Sequence, residues 1–225
     1  MKLDKETKSR LVFCIIPITI AICAGMFSRS SYVIISDEFD TKPQKKVLDF
    51  RFSFMQFDVI NNYMLFWSLF AVISFWLFFL KSEENDYYLK DVFSRWLLSF
   101  LCFVIFFLWY KVSDPDNYQL FNPSGHVMSG LISMANYMSC YNFVKRKPVD
   151  KHLFYGESRV LRRITFAVYI AFLAHTCYSL YFTAFIFHSM LETILGWAFG
   201  LITIILTYET DYFVNYIYLP LRFIG

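Results

Sequence analysis

The stretch Ile164–Tyr208, ITFAVYIAFLAHTCYSLYFTAFIFHSMLETILGWAFGLITIILTY, decides the fold. Its 45 residues are broken only by His175, His188 and Glu192. A helix crossing the hydrocarbon core of a bilayer needs about 20 mostly apolar residues. Forty-five therefore hold two crossings joined by a very short turn, expected between Tyr181 and His188, where no Gly or Pro marks it. The resulting spans cover 164–182 and 188–208.

Working outward, four more apolar runs have the right length, at 11–27, 63–80, 96–110 and 126–144. The chain is 57% hydrophobic and only 17% charged, against about 25% charged in soluble domains. The expectation is a single all-α domain over residues 1–225, a polytopic membrane bundle of about six spans. Residues 11–27 follow Lys2, Lys5, Lys8 and Arg10, as a secretory leader would. The run of ~17 residues is at the long end for a leader and no clear cleavage site follows, so it is read as a span. The segment Asp211–Gly225 reads as interfacial, and the run Phe50–Ile60 either lies on the membrane as an amphipathic helix or packs on the bundle.

Lys and Arg in short loops set orientation, being enriched on the cytosolic side. With the amino terminus cytosolic, 15 of the 21 basic residues fall on that face and 6 on the other. The loop 145–163, with Lys145, Arg146, Lys147, Lys151, Arg159, Arg162 and Arg163, dominates the bias. Both termini are expected in the cytosol. The amino ends of the spans at 126–144 and 188–208 then share the opposite face, bringing His126 and His188 to one side. Neither histidine was needed to fix that orientation. A net charge of +3 without a basic patch excludes a nucleic-acid partner. The lipid bilayer is the implied partner, and nothing in the chain fixes an oligomeric state. Cys14, Cys23, Cys102, Cys140 and Cys177 all lie in apolar runs, which reads as buried free thiols and no disulfide framework.

Ionisable residues at a bilayer edge are costly and mark function. In Asn122-Pro123-Ser124-Gly125-His126, Asn122 suits an N-cap and Pro123 a first helical position. Ser124 and Gly125 would then present backbone N–H groups at a helix amino terminus, a natural anion site, with His126 beside it. A simple helix cap with an interfacial histidine is the plainer alternative. His188 and Glu192 are four apart, which on a helix puts them on one face. A carboxylate on one ring nitrogen raises the basicity of the other, as a nucleophile or base requires. A structural His–Glu pair is the alternative there. The spacing is not that of a metal site, so no metal and no cofactor is expected. His175 reads as a packing histidine and His152 as a solvated loop residue.

Two histidines beside an anion-binding helix end describe phosphoryl transfer: one attacks phosphorus, the other protonates the leaving oxygen. Glu192 points to His188 as nucleophile and leaves His126 as acid.

At these residues the chain resembles the fat storage-inducing transmembrane (FIT) family, relatives of the type-2 phosphatidic acid phosphatases. Pro123-Ser124-Gly125-His126 is similar to the second motif of that superfamily, and His188 with Glu192 and Gly196 to the FIT form of the third. The superfamily's first motif, a lysine followed by Arg-Pro, is absent, and Tyr181-Phe182 stand where a Ser-Arg should precede the third-motif histidine. The resemblance implies an endoplasmic reticulum hydrolase cleaving the diphosphate of fatty acyl-coenzyme A on the lumenal face, in support of lipid droplet formation and lipid homeostasis. It implies His188 as nucleophile and His126 as general acid, with Ser124, Gly125 and Asn122 around the phosphate. Lys111 or Arg51 would be the clamping cation. The runners-up are a lipid phosphate phosphatase or phosphotransferase acting on phospholipid or sphingolipid, and a non-enzymatic neutral-lipid scaffold.

Overall fold

A computed structural model describes residues 11–35, 68–69, 72–73, 92–113, 123–146 and 155–208. Five long helices account for nearly all of them: α1 (Ile16–Ile35), α2 (Ser94–Ser113), α3 (Gly125–Arg146), α4 (Tyr155–Phe182) and α5 (Met190–Tyr208). One π-helical turn, Leu11–Ile15, leads into α1, and another, Thr183–Phe187, closes α4. Among the described residues the architecture is entirely helical, with no strand. The helix α1 runs eight residues past the expected end at Phe27, and α4 starts nine before Ile164. Of the expected span 63–80 only 68–69 and 72–73 are described. Asn122, Arg51, His152, the run Phe50–Ile60 and the segment Asp211–Gly225 lie outside the described residues.

Side-chain contacts fix the helix directions. The α1/α4 pair is parallel: the Tyr169 hydroxyl donates to the Phe13 carbonyl at 2.6 Å, and that of Tyr181 to Ser28 Oγ at 3.0 Å. Also parallel are α3 and α5, since Ser124 sits against Gly196, Leu131 against Gly200, and Asn136 against Tyr208. Running against both, α2 has Arg95 at Thr207, Ser99 at Asn136, and Phe106 on Phe199 with ring centroids 3.9 Å apart. The amino ends of α3 and α5 therefore share one end of the bundle with the carboxyl ends of α1, α2 and α4.

At the centre is α3, every residue from Val127 to Cys140 being buried, although Ser129, Ser133, Asn136 and Ser139 are polar. Outward faces are the reverse: Ile16, Ile20 and Phe27 on α1, Ile105 and Trp109 on α2, and Ile202 and Ile205 on α5 are half or more exposed. Polar inside and apolar outside inverts the soluble pattern. Among the described residues two helical stretches, Arg163–Phe185 and Met190–Tyr208, are long and apolar enough to cross a membrane.

Small residues set the close packing, letting the helix backbones approach. Buried Thr193, Gly196, Gly200, Thr203 and Thr207 form a stripe along α5. On α1, Cys14, Ile18 and Ile22 are at most 2% exposed, and Gly25 lies so close to the Tyr181 carbonyl that a Cβ would stand 2.3 Å from it. The amino-terminal helix is thus part of the core.

Two expectations are corrected here. Arg95, which precedes the expected span 96–110 and is one of the 15 basic residues assigned to cytosolic loops, is buried: its Nη1 donates to the Thr207 carbonyl at 2.6 Å, in the last turn of α5, and its guanidinium lies over the Tyr208 ring. A guanidinium there complements the negative end of the helix dipole. Tyr208 in turn hydrogen-bonds Asn136 Oδ1, whose amide donates to Ser99 Oγ. The loop-charge bias survives without Arg95. The second correction concerns thiols: Cys14 and Cys140 are buried and Cys102 and Cys177 partly so, whereas Cys23 is exposed on the outer face of α1.

Candidate functional site

The site lies at the end of the bundle where α3 and α5 begin. The sequence expectation of an Asn122 cap and Pro123 at the first helical position is corrected. The first helical residue is Gly125, and Ser124 is the cap, its Oγ accepting from the Val127 N–H at 3.3 Å. Serine wins because its hydroxyl reaches the third helical N–H from the position immediately before the helix. Ser124 is fully buried, and its own N–H is taken by the Glu192 carbonyl at 3.0 Å. It therefore shapes the helix end rather than facing solvent. Gly125 and His126, the first two helical residues, are partly buried.

The second half of the site comes from the α4–α5 reversal. The π-helical turn Thr183–Phe187 ends with the His188 N–H bonded to the Thr183 carbonyl at 3.2 Å. His188 is then extended, at φ −120° and ψ 147°, and the chain reverses through Ser189 without Gly or Pro. π-Helical insertions are frequent at functional sites, where they re-aim a side chain.

Here the helical reading of His188 and Glu192 is corrected. His188 precedes the helix, so helical spacing does not bring the pair together. A capping box does. The Ser189 N–H donates to Glu192 Oε2 at 2.7 Å, and the Glu192 N–H donates back to Ser189 Oγ at 3.3 Å. Ser189-Met190-Leu191-Glu192 is the S-x-x-E pattern of that motif, a signal present in the sequence and not used there. Buried Thr193 fastens the same turn, its hydroxyl donating to the Ser189 carbonyl at 2.9 Å. The box swings the carboxylate back, leaving His188 Nδ1 3.5 Å from Glu192 Oε2, with both side chains about 15% exposed.

Glu192 thus joins both halves: its carboxylate faces His188 and its carbonyl holds the Ser124 N–H. Gly196 permits this approach, because a Cβ there would stand 2.4 Å from the Ser124 carbonyl oxygen. The outcome is a histidine pair with ring centroids 6.1 Å apart and planes at 49°.

Other expected site residues fall as follows. Lys111 is in the last turn of α2, at the histidine end of the bundle. His175 is partly buried three-quarters of the way along α4, two turns (about 10 Å at the helical rise) before the helix ends at Phe182, so it stands apart from the pair. Among the described residues no three His, Cys, Asp or Glu side chains gather as metal ligands would. No family model, curated protein or solved structure matches the chain.

Proposed function

We propose that the protein is a membrane hydrolase that cleaves the diphosphate of a fatty acyl-coenzyme A, with His188 as nucleophile and His126 as general acid. The observation carrying this reading is the histidine pair with its joining Glu192.

The proposed setting is a six-span bundle of the endoplasmic reticulum, both termini cytosolic and the histidines lumenal. Helix directions support it. One crossing placed between α1 and α2 makes all five described helices alternate, and the amino ends of α3 and α5 then share the face opposite the basic loop. The polar interior of α3 and the apolar outer faces suit a bundle wrapped in lipid. Endoplasmic reticulum residence and a role in lipid droplet formation come from the FIT resemblance.

In the proposed reaction the diphosphate sits between the rings, its charge facing the amino end of α3. His188 Nε2 attacks one phosphorus while its Nδ1–H donates to Glu192. The bridging P–O bond breaks, and protonated His126 gives its proton to the departing oxygen. His126, now neutral, takes a proton from water as that water attacks the phosphorylated His188, restoring the free enzyme. The acid and base roles alternate on one residue, as microscopic reversibility demands. Ser124 contributes by holding the helix end, and Gly125 and His126 by their backbone N–H groups.

The test uses purified protein with oleoyl-coenzyme A and, separately, phosphatidic acid, products read by mass spectrometry, alongside His126→Ala and His188→Ala. Release of adenosine bisphosphate by wild type and its loss in both variants is expected. Phosphate from phosphatidic acid alone would replace this reading with a lipid phosphatase. Silence of wild type on both substrates would favour a non-enzymatic lipid scaffold.

A further inference from the structure

The polar residues of α3 form one unbroken line. His126, Ser129, Ser133, Asn136, Ser139 and Asn142 follow at steps of three or four residues, so each neighbours the next on the helix surface. All but His126 are at most 7% exposed. Two of them are held by the protein. Ser129 Oγ donates to the His126 carbonyl at 3.1 Å. Asn136 is bonded at both ends of its amide, Oδ1 accepting from the Tyr208 hydroxyl and Nδ2 donating to Ser99 Oγ at 3.3 Å. The other three differ. Ser133 Oγ, Ser139 Oγ and Asn142 Nδ2 are buried with no hydrogen-bond partner among the described residues.

Helix α4 adds a fourth such group. A Cβ on Gly130 would meet Leu180 and Thr176, and the Tyr137 ring stacks on Phe172. Ser133 lies between Gly130 and Tyr137 on that face of α3, and Ser179 beside Thr176 and Leu180 on α4. Ser179 Oγ is likewise buried without a partner among the described residues. Hydroxyls on a helix often bond a carbonyl of their own preceding turn, as Ser129 and Thr207 do. These three serines do not, and a buried hydroxyl left unbonded costs more than a hydrogen bond gains. Ser139 and Asn142, one turn apart with Cβ atoms about 5–6 Å from each other, are spaced as one bridging water requires.

We propose that these groups bind water in two stretches divided by Asn136. One is held by Ser133 and Ser179 on the histidine side, the other by Ser139 and Asn142 toward the basic loop. The Asn136–Tyr208–Ser99 network is the dry barrier between them. A barrier has a purpose in a bilayer, because an unbroken line of water along α3 would relay protons from one face to the other. Asn136 interrupts that line by giving both ends of its amide to protein groups. The inference goes beyond the acyl-coenzyme A reading and does not depend on it.

Two measurements test it. In radiolytic footprinting, an X-ray pulse converts water to hydroxyl radical where it sits, and peptide mass spectrometry finds the oxidised neighbours. Tyr137, four residues after Ser133, reports on the first stretch, and Met138, four before Asn142, on the second; both are buried. Their controls are equally buried but packed away from the line: Tyr169, bonded to the Phe13 carbonyl, and Met128, among the Phe side chains of α2 and Phe199. In wild type each probe should be oxidised at least about tenfold above its control. Ser133→Ala with Ser179→Ala should remove the excess at Tyr137 and spare Met138, and Ser139→Ala with Asn142→Leu should do the reverse. Probes no more oxidised than controls in wild type, as in a dry interior where the serines bond their own helix carbonyls, overturn the proposal without any variant having to fold. Loss at both probes from one pair of substitutions also overturns it, since the water would then form a single stretch. The second measurement is proton passage into proteoliposomes under a pH gradient. Asn136→Ser, which leaves room for a water, should pass protons at least about tenfold faster than wild type, with potassium leak unchanged. Unchanged proton passage, or a potassium leak rising in step, overturns the proposal.

Discussion

Gly196→Ala should disable the site while leaving the residues of the histidine pair untouched. A Cβ at 196 would stand 2.4 Å from the Ser124 carbonyl oxygen and 3.1 Å from two further backbone atoms of Ser124, where ordinary contact begins at 3.4 Å. Backbone cannot rotate away, so the amino ends of α3 and α5 must separate by the difference, about 1 Å. That stretches the Ser124 N–H to Glu192 carbonyl bond from 3.0 Å to near 4 Å and breaks it. It also parts the two histidines. A misplacement of ~1 Å costs about 100-fold in rate, and overpacking costs about 1–3 kcal/mol in stability. Gly200→Ala is the control. Its Cβ would meet Leu131 Cδ1 at 2.8 Å, the end of a flexible side chain, and Leu131 Cβ at 3.2 Å, so the helices need give only a few tenths of an ångström and activity should fall less than about fivefold. The assay is kcat/KM on oleoyl-coenzyme A together with thermal unfolding in detergent. Wild-type activity in Gly196→Ala, or equal damage from the two substitutions, would show that the Gly196–Ser124 contact does not set the distance between the histidines.

Gly25→Ala places a Cβ 2.3 Å from the Tyr181 carbonyl, so it should lower the unfolding temperature as overpacking by about 1–3 kcal/mol does, measured by a thermal melt. Ser189→Ala removes the acceptor of the Glu192 N–H and loosens the turn that aims the carboxylate; kcat should drop about tenfold, with Ser189→Asp restoring it because aspartate also caps. Tyr208→Phe leaves Asn136 Oδ1 buried without that donor, a cost of about 1–3 kcal/mol seen in melts. Its kcat per folded molecule should be unchanged, as Tyr208 lies about 24 Å along α5 from Glu192.

How far the sequence reveals this protein depends on which physical signal each feature leaves. Long apolar runs reveal helices directly, and the described helices overlap the stretches 11–27, 96–110, 126–144, 164–182 and 188–208. The ends were harder. Apolar composition does not register the overhang of α1 to Ile35 or of α4 back to Tyr155, because these helices continue past their apolar runs into more polar sequence. Arg95 illustrates the same limit: a charge beside an apolar run reads as loop, whereas here it caps a neighbouring helix. His126 and His188 were legible as rare ionisable residues at span edges. The geometry joining them was not. Four-residue spacing brought Glu192 to His188 by the wrong route, since a histidine before the helix is reached through the Ser189 capping box instead. Gly196 gave no sign of its purpose until the Ser124 backbone lay against it, and parallel packing of α3 and α5 is a tertiary fact.

The most direct measurement of the central claim is an acid-free quench of wild-type protein during turnover of oleoyl-coenzyme A, followed by peptide mass spectrometry for a phosphorus adduct on histidine. The account predicts an adduct on His188, carrying either the acyl phosphopantetheine or the adenosine bisphosphate moiety, and its absence from His188→Ala. An adduct on His126, or turnover that persists in His188→Ala, would contradict it.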